Sequence, residues 1–93
     1  MSISMKQKQG FNLRHVGSEH IIVAEGLENI DFSKIISLND SAALLWTKVK
    51  DKEFTVQELA ELLTSEYDID KATALTDAKA LAETWVKADI VEY

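Results

Sequence analysis

A change of hydrophobic period at residues 38–39 constrains the fold of this chain more than any other feature. Before it, short apolar segments show the alternation and β-branched content of strands. After it, apolar residues recur at the spacings of three and four that mark one face of a helix. Asn39, Asp40 and Ser41 stand at the boundary, where their side-chain oxygens can cap the unpaired N–H groups of a helix start. The chain is therefore predicted to be an α+β domain whose strands precede its helices.

Three segments of the first half are predicted to form an antiparallel sheet. Residues 11–16 alternate in polarity, and Gly17-Ser18 supplies a turn to the β-branched run at 20–24. The third segment spans residues 30–38 and carries most of its apolar side chains on one side, with Lys34 as the exception. We expect the strands to pair in chain order.

The first predicted helix begins at the cap just described and ends near Asp51. Lysines in its last turn and just beyond it suit the negative end of the helix dipole. Its apolar residues form one stripe, which is expected to be buried: Leu38, Ala42, Leu45, Trp46 and Val49.

A capping box marks the start of the second helix. Thr55 and Glu58 have the spacing at which each side chain accepts from the other's backbone N–H, and Phe54 and Leu59 occupy the positions of a hydrophobic staple. This helix is predicted to end around Tyr67.

The third helix is predicted to run from an Asp70 cap to about Ala88, where Asp89 closes it. Ile90 and Val91 are expected to pack back on the core. The resulting order is βββααα: a three-stranded antiparallel sheet followed by three helices, which resembles a winged helix-turn-helix.

Length and composition bound the class of protein. Ninety-three residues make one domain, predicted to span residues 10–93. Residues 1–9 carry Lys6 and Lys8 without an apolar core, so they are predicted to be a flexible segment rather than a secretory signal. The lack of cysteine excludes disulfides and thiolate chemistry and fits a cytoplasmic protein. No apolar run is long enough to cross a membrane.

The sequence offers no catalytic constellation. No nucleophile–base pair, metal-ligand spacing or Gly-rich phosphate loop is present, so the chain is predicted not to be an enzyme and to hold no cofactor. His15 and His20 lie on predicted strands without a carboxylate cluster, which argues against a metal site. Trp46 and Trp85 have the helical spacing of core residues.

DNA binding is the natural rival function for a winged-helix order. A net charge of −6 disfavours nucleic acid and anionic membranes, because phosphate binding needs clustered Lys and Arg. No arginine follows Arg14, and the lysines of the third helix are offset by acidic neighbours. We therefore expect a neutral or basic partner.

Several short motifs follow one another in a recognisable order. They are Phe11-Asn12-Leu13-Arg14, Leu38-Asn39, Ala42-Ala43-Leu44-Leu45-Trp46, Thr55-Val56-Gln57-Glu58-Leu59, Tyr67-Asp68-Ile69 and Asp77. Together they resemble the PqqD-like family, small peptide-binding modules also called RiPP recognition elements, over about residues 11–92. Two positions depart from the family pattern: Asp89 stands where the family usually has Gly, and Trp85 where it often has Leu.

The resemblance implies a non-catalytic chaperone for a ribosomally made precursor peptide. The leader of that peptide would add a strand to the edge of the third strand, in a cleft against the third helix, and be presented to a modifying enzyme, often a radical SAM enzyme. The protein would be a monomer or a weak dimer. The implied peptide-binding residues are Ile30, Asp31, Phe32, Ser33, Lys34, Ile35 and Ile36 on the strand, and Leu75, Asp77, Ala78, Lys79, Leu81 and Ala82 on the helix.

Each of these residues also has a purely structural interpretation. Residues 30–36 either accept a peptide or form a strand of a closed sheet, and Lys34 either meets an acidic leader residue or protects the edge from aggregation. Leucines of the third helix either line the cleft or fill the core. Asp77 either anchors the peptide or is a solvated carboxylate. The alternative functions are a winged-helix adaptor for another protein and, less favoured, a DNA-binding regulator.

Overall fold

The strands and helices follow the predicted order, with one short strand added near each end. The computed structural model describes residues 4–24 and 36–93. Its elements are β1 (Lys6–Gln7), β2 (Phe11–Val16), β3 (Glu19–Ala24), β4 (Ile36–Leu38), α1 (Asp40–Lys48), α2 (Val56–Glu66), α3 (Lys71–Lys87) and β5 (Val91–Glu92). The predicted α+β class is confirmed.

The main sheet has three antiparallel strands in the order β2-β3-β4. The β2–β3 hairpin turns at Gly17, whose φ of 63° belongs to the left-handed region that favours glycine. On the other side of β3, Ile22 is opposite Ile36 and His20 is opposite Leu38. The third strand is thus confirmed over 36–38, while its predicted first part, residues 30–35, lies outside the described residues.

The core forms where the three helices meet the sheet. Trp85 of α3 is fully buried, as are Phe54 before α2 and Ile22 of β3. Phe54 meets the Trp85 ring edge to face, with centroids 6.0 Å apart. All five residues of the predicted α1 stripe are buried too. The prediction that Trp46 and Trp85 belong to the core is confirmed.

The helix starts lie where the caps predict them. The Asn39 side chain accepts from the Ala42 N–H at 2.8 Å and begins α1. Asp70 accepts from the Thr73 N–H at 3.4 Å and begins α3. Local capping chemistry therefore sets where each of these helices begins.

The capping box of α2 is only half formed. Thr55 Oγ1 accepts from the Glu58 N–H at 3.1 Å, as predicted. The Glu58 carboxylate does not complete the reciprocal bond and instead lies 3.8 Å from the Lys52 Nζ. Phe54 and Leu59, the predicted staple, are both fully buried.

The helix ends use aspartates in the left-handed region. Asp51, with φ of 62°, follows the end of α1, and Asp89, with φ of 64°, follows the end of α3. The predicted closure of α3 at Asp89 is confirmed, because aspartate tolerates this conformation better than most residues. Ile90 is then buried as predicted.

The N-terminal segment packs on the domain over residues 5–8. Met5 is only 3% exposed and exchanges two backbone hydrogen bonds with Phe54, at 2.7 and 2.8 Å. β1 pairs antiparallel with β5. The sequence analysis assigned residues 1–9 to a flexible segment and missed these contacts, because a two-residue strand has no periodicity to detect. The domain boundary at residue 10 stays a prediction.

Candidate functional site

A groove of about 320 Å³ opens where the start of α1 faces α2 and α3. Below, this is called the β4–α3 groove. Its lining residues come from the β4–α1 junction and all three helices: Asn39, Ser41, Leu45, Leu63, Asp77, Ala80 and Leu81.

The groove has an apolar floor and a polar rim. Leu45 and Leu63 are buried and Leu81 is half-buried, so they offer an apolar seat. Asn39 is held rigidly at the rim, since its Oδ1 accepts both from the Ala42 N–H and from the Ser41 hydroxyl at 3.0 Å. Asp77 adds an exposed carboxylate. The groove therefore suits an apolar side chain next to a hydrogen-bond donor or a cation.

The end of β4 leads into this groove. β4 pairs with β3, and in the described part of the chain no strand lies along its other side. Asn39 follows Leu38 directly, so the end of the strand leads into the groove rim. An edge strand presents unpaired N–H and C=O groups to which another chain can add.

The structure brings only part of the predicted α3 set to the groove. Asp77 and Leu81 line it. Leu75 and Lys79 are each two residues from Asp77, so they lie about 160° around the helix from it. Both are exposed, Leu75 by 46%. They stand on the opposite flank of α3, and their predicted contact with a peptide stays a prediction.

Ala78 and Ala82 are placed in the core. Together with Ala74 and Trp85 they form the buried stripe of α3. The sequence analysis placed both alanines among the implied peptide-binding residues. Their burial gives them a packing role, because alanines let helices approach closely, and their predicted contact with a peptide stays a prediction. Of the predicted strand residues, Ile36 lies in β4 and the other six lie outside the described residues.

Sequence reasoning did not assign the remaining groove residues to a site. Ala80 could have been predicted from the sequence, since it lies three residues after Asp77 and on the same side of the helix. Leu45, Leu63 and Ser41 belong to other helices. Their approach to α3 depends on tertiary packing, so no spacing in the sequence marks them.

The histidines form a cross-strand pair. His15 is opposite His20, with ring centroids 4.3 Å apart. His20 Nε2 lies 2.8 Å from Asp40 Oδ1. Among residues 4–24 and 36–93, no group of three or more His, Cys, Asp or Glu side chains is placed to hold a metal ion. Nor does any helix in these ranges have the length and apolar character to cross a membrane.

The fold and the groove define a small α+β module in which an edge strand leads into a groove lined by helices. A family model described as coenzyme PQQ synthesis protein D (PqqD) matches residues 19–91. The chain belongs to the PqqD family, as its sequence motifs predict.

Two solved structures share the fold. One is the PqqD truncation of Methylobacterium extorquens PqqCD, described as a functional, stand-alone RiPP recognition element; it is 22% identical, with a TM-score of 0.70, covering 97% of this chain and 89% of that one. The other is TbiB1 in complex with the TbiA(beta) leader peptide; it is 16% identical, with a TM-score of 0.68, covering 94% of each chain. No curated protein matches the chain.

Proposed function

We propose that this protein binds the leader of a ribosomally made precursor peptide and presents it to a modifying enzyme without catalysing a reaction itself. The observation that carries the proposal is that β4 is an edge strand in the described part of the chain and that Asn39, the residue after it, lines the β4–α3 groove. An added strand gains backbone hydrogen bonds from such an edge, and a neighbouring apolar pocket selects its side chains.

In this proposal the leader pairs with β4 and with residues 30–35, which the sequence predicts to precede it in the same strand. One apolar leader side chain sits on Leu45, Leu63 and Leu81. Asp77, at the rim, accepts from a backbone N–H or pairs with a basic leader residue. The docking register fixes which part of the precursor the enzyme receives.

Family membership and the two similar folds support the proposal. One of these structures contains a leader peptide, and the other is described as a stand-alone recognition element of nearly the same extent. We further propose that the modifying enzyme is of the radical SAM type. The protein would act in the cytoplasm, where the precursor is made, as a monomer or weak dimer.

Calorimetric titration tests the proposal. The titrant is the synthetic leader of the precursor encoded beside this protein, and the expected result is saturable binding at one site per chain. The core of the same precursor, without the leader, is the control and is expected not to bind. Absence of binding by a protein that circular dichroism shows to be folded would overturn the proposal in favour of an adaptor for another protein.

A further inference from the structure

A second groove follows β2 on another flank of α1. It consists of three adjoining cavities of about 400, 290 and 230 Å³. The first shares Leu13 and Thr47 with the second, and Phe11 and Lys50 with the third, so the cavities are continuous. Below, this is called the β2 trough.

α1 separates the β2 trough from the β4–α3 groove. Ser41 and Leu45 line the groove, whereas Leu44 and Thr47 line the trough. Thr47 is two residues beyond Leu45, which turns it well away from the groove. A ligand in the trough therefore need not displace one in the groove.

Two of the three cavities lie along the edge of β2, and the third, lined by Leu13, His15 and His20, reaches over the sheet face towards α1. The lining of the largest cavity includes Phe11 and Leu13 as well as Asn12 and Arg14. Successive strand residues point to opposite faces, so a groove lined by both sets lies at the strand edge. β2 pairs with β3, and among the described residues no backbone hydrogen bond joins its outer side to another element.

The charge of the trough is opposite to that of the protein. The chain has 10 Lys and Arg against 16 Asp and Glu. The trough nevertheless gathers four of those cations: Lys6, Lys8, Arg14 and Lys50. Lys8 is paired with Asp89, but Lys6 and Lys50 make no ion pair with a described residue.

Acidic side chains only partly offset these cations. Asp51 and Asp40 stand at opposite ends of the trough. Asp40 is already bonded to His20. Phe11 and Leu13 lie between these ends and are half-buried, so they leave apolar surface for a ligand.

We propose that the β2 trough binds an extended, acidic segment of a protein partner. The open side of β2 pairs with the backbone of that segment, and Lys6 and Lys50 attract its carboxylates. A backbone edge recognises peptide rather than nucleic acid, since it offers alternating N–H and C=O groups to a matching strand. This site is independent of leader binding in the other groove.

Amide chemical shifts of the ¹⁵N-labelled protein test the proposal. The probe is an acetylated eight-residue peptide that alternates Glu and Val, and its control alternates Lys and Val. The acidic peptide is expected to shift the amides of residues 11–16 and 47–50 but not those of Asp77 and Leu81. Binding is expected to weaken strongly between about 0.05 and 0.5 M salt, because the ion pairs are exposed to screening.

Matched charge reversals locate the site. Lys50→Glu is expected to weaken binding of the acidic peptide by roughly three- to tenfold, the scale of one or two exposed ion pairs. Lys71→Glu reverses an exposed lysine at the start of α3 and is expected to leave affinity unchanged. Equal binding of the basic peptide, or shifts only near Asp77 and Leu81, would overturn the proposal. The proposal would also be overturned if, without any peptide, the amide shifts of the trough residues changed with protein concentration. That result would mean that the trough binds a second copy of the chain.

Discussion

Trp46 and Trp85 meet edge to face, with ring centroids 5.0 Å apart. This contact joins α1 to α3, two of the three helices that line the β4–α3 groove. Edge-to-face aromatic pairs add to the stability gained from burial alone. The spacing of two helices that line the groove therefore depends in part on an aromatic contact in the core.

Truncating Trp85 is expected to destabilise the whole domain. The side chain is fully buried, so Trp85→Ala should lower the free energy of unfolding by about 3–5 kcal/mol, the cost of a large buried cavity. Urea denaturation followed by circular dichroism measures this. Tyr93→Ala is the control, because Tyr93 is 76% exposed, and it should change stability by less than about 0.5 kcal/mol. Equal effects of the two changes would contradict the assigned packing.

Leu81 and Leu75 lie on opposite flanks of α3, and of the two only Leu81 lines the β4–α3 groove. Leu81→Ala should weaken leader binding by about tenfold, because it removes apolar surface from the floor of the groove. Leu75→Ala is the same chemical change on the other flank, and it should leave affinity within about twofold. Titration calorimetry on both variants, with melting curves to confirm folding, gives the comparison. A larger loss from Leu75→Ala would move the site to the other flank.

Replacing Ile35 with proline tests the strand-addition mode. Proline cannot donate to an added ladder and disfavours the neighbouring geometry, so Ile35→Pro should abolish leader binding. Ile35→Ala keeps the backbone N–H and should retain most of the affinity. If the proline variant stays folded and binds the leader normally, strand addition takes place elsewhere.

Asp70 should make the start of α3 sensitive to acid. Hydrogen bonds from the Thr73 hydroxyl, and then from the Thr73 backbone N–H, lower the pKa of this carboxyl below its ordinary value. A lowered folded-state pKa means that the stabilisation is present above the unfolded-state pKa and is lost as the pH falls through the folded-state value. The stability advantage of the natural chain over Asp70→Ala should therefore be constant above about pH 5 and shrink as the pH falls below about 4.

Asp70→Asn provides the control for this pH dependence. Asparagine keeps a capping oxygen but does not titrate in this range. Thermal unfolding of the three proteins across the pH range measures the difference. A gap between the natural chain and Asp70→Ala that does not change with pH would show that the Asp70 charge contributes nothing.

The parts of the fold that the sequence predicts are those specified locally. Asn39, Thr55 and Asp70 each begin a helix because a side-chain oxygen reaches an N–H a few residues away. The burial of Trp46 and Trp85 follows from helical spacing in the same way. β1 and β5 lie near opposite ends of the sequence and pair through only two residues each. A two-residue strand has no hydrophobic pattern that could indicate its distant partner.

The candidate site was predictable only on α3. The buried alanines at 74, 78 and 82 fix which side of the helix faces the core, and hence put Leu75 and Leu81 on different flanks. Which flank faces β4 depends on how the chain returns from α2, and periodicity cannot specify that. Leu45 and Leu63 reach the groove through the same packing, so residue type and spacing gave no indication of them.

The pairing of Lys6 with Glu92 has a practical consequence for engineering. Antiparallel partners lie about 5 Å apart, so a fusion protein that leaves the fold just ahead of Met5 and one that leaves it after Glu92 would start from nearby points on the surface. An enzyme tethered at either point would start its search for a bound substrate from nearly the same position, and exchanging the two arrangements should change its reach very little.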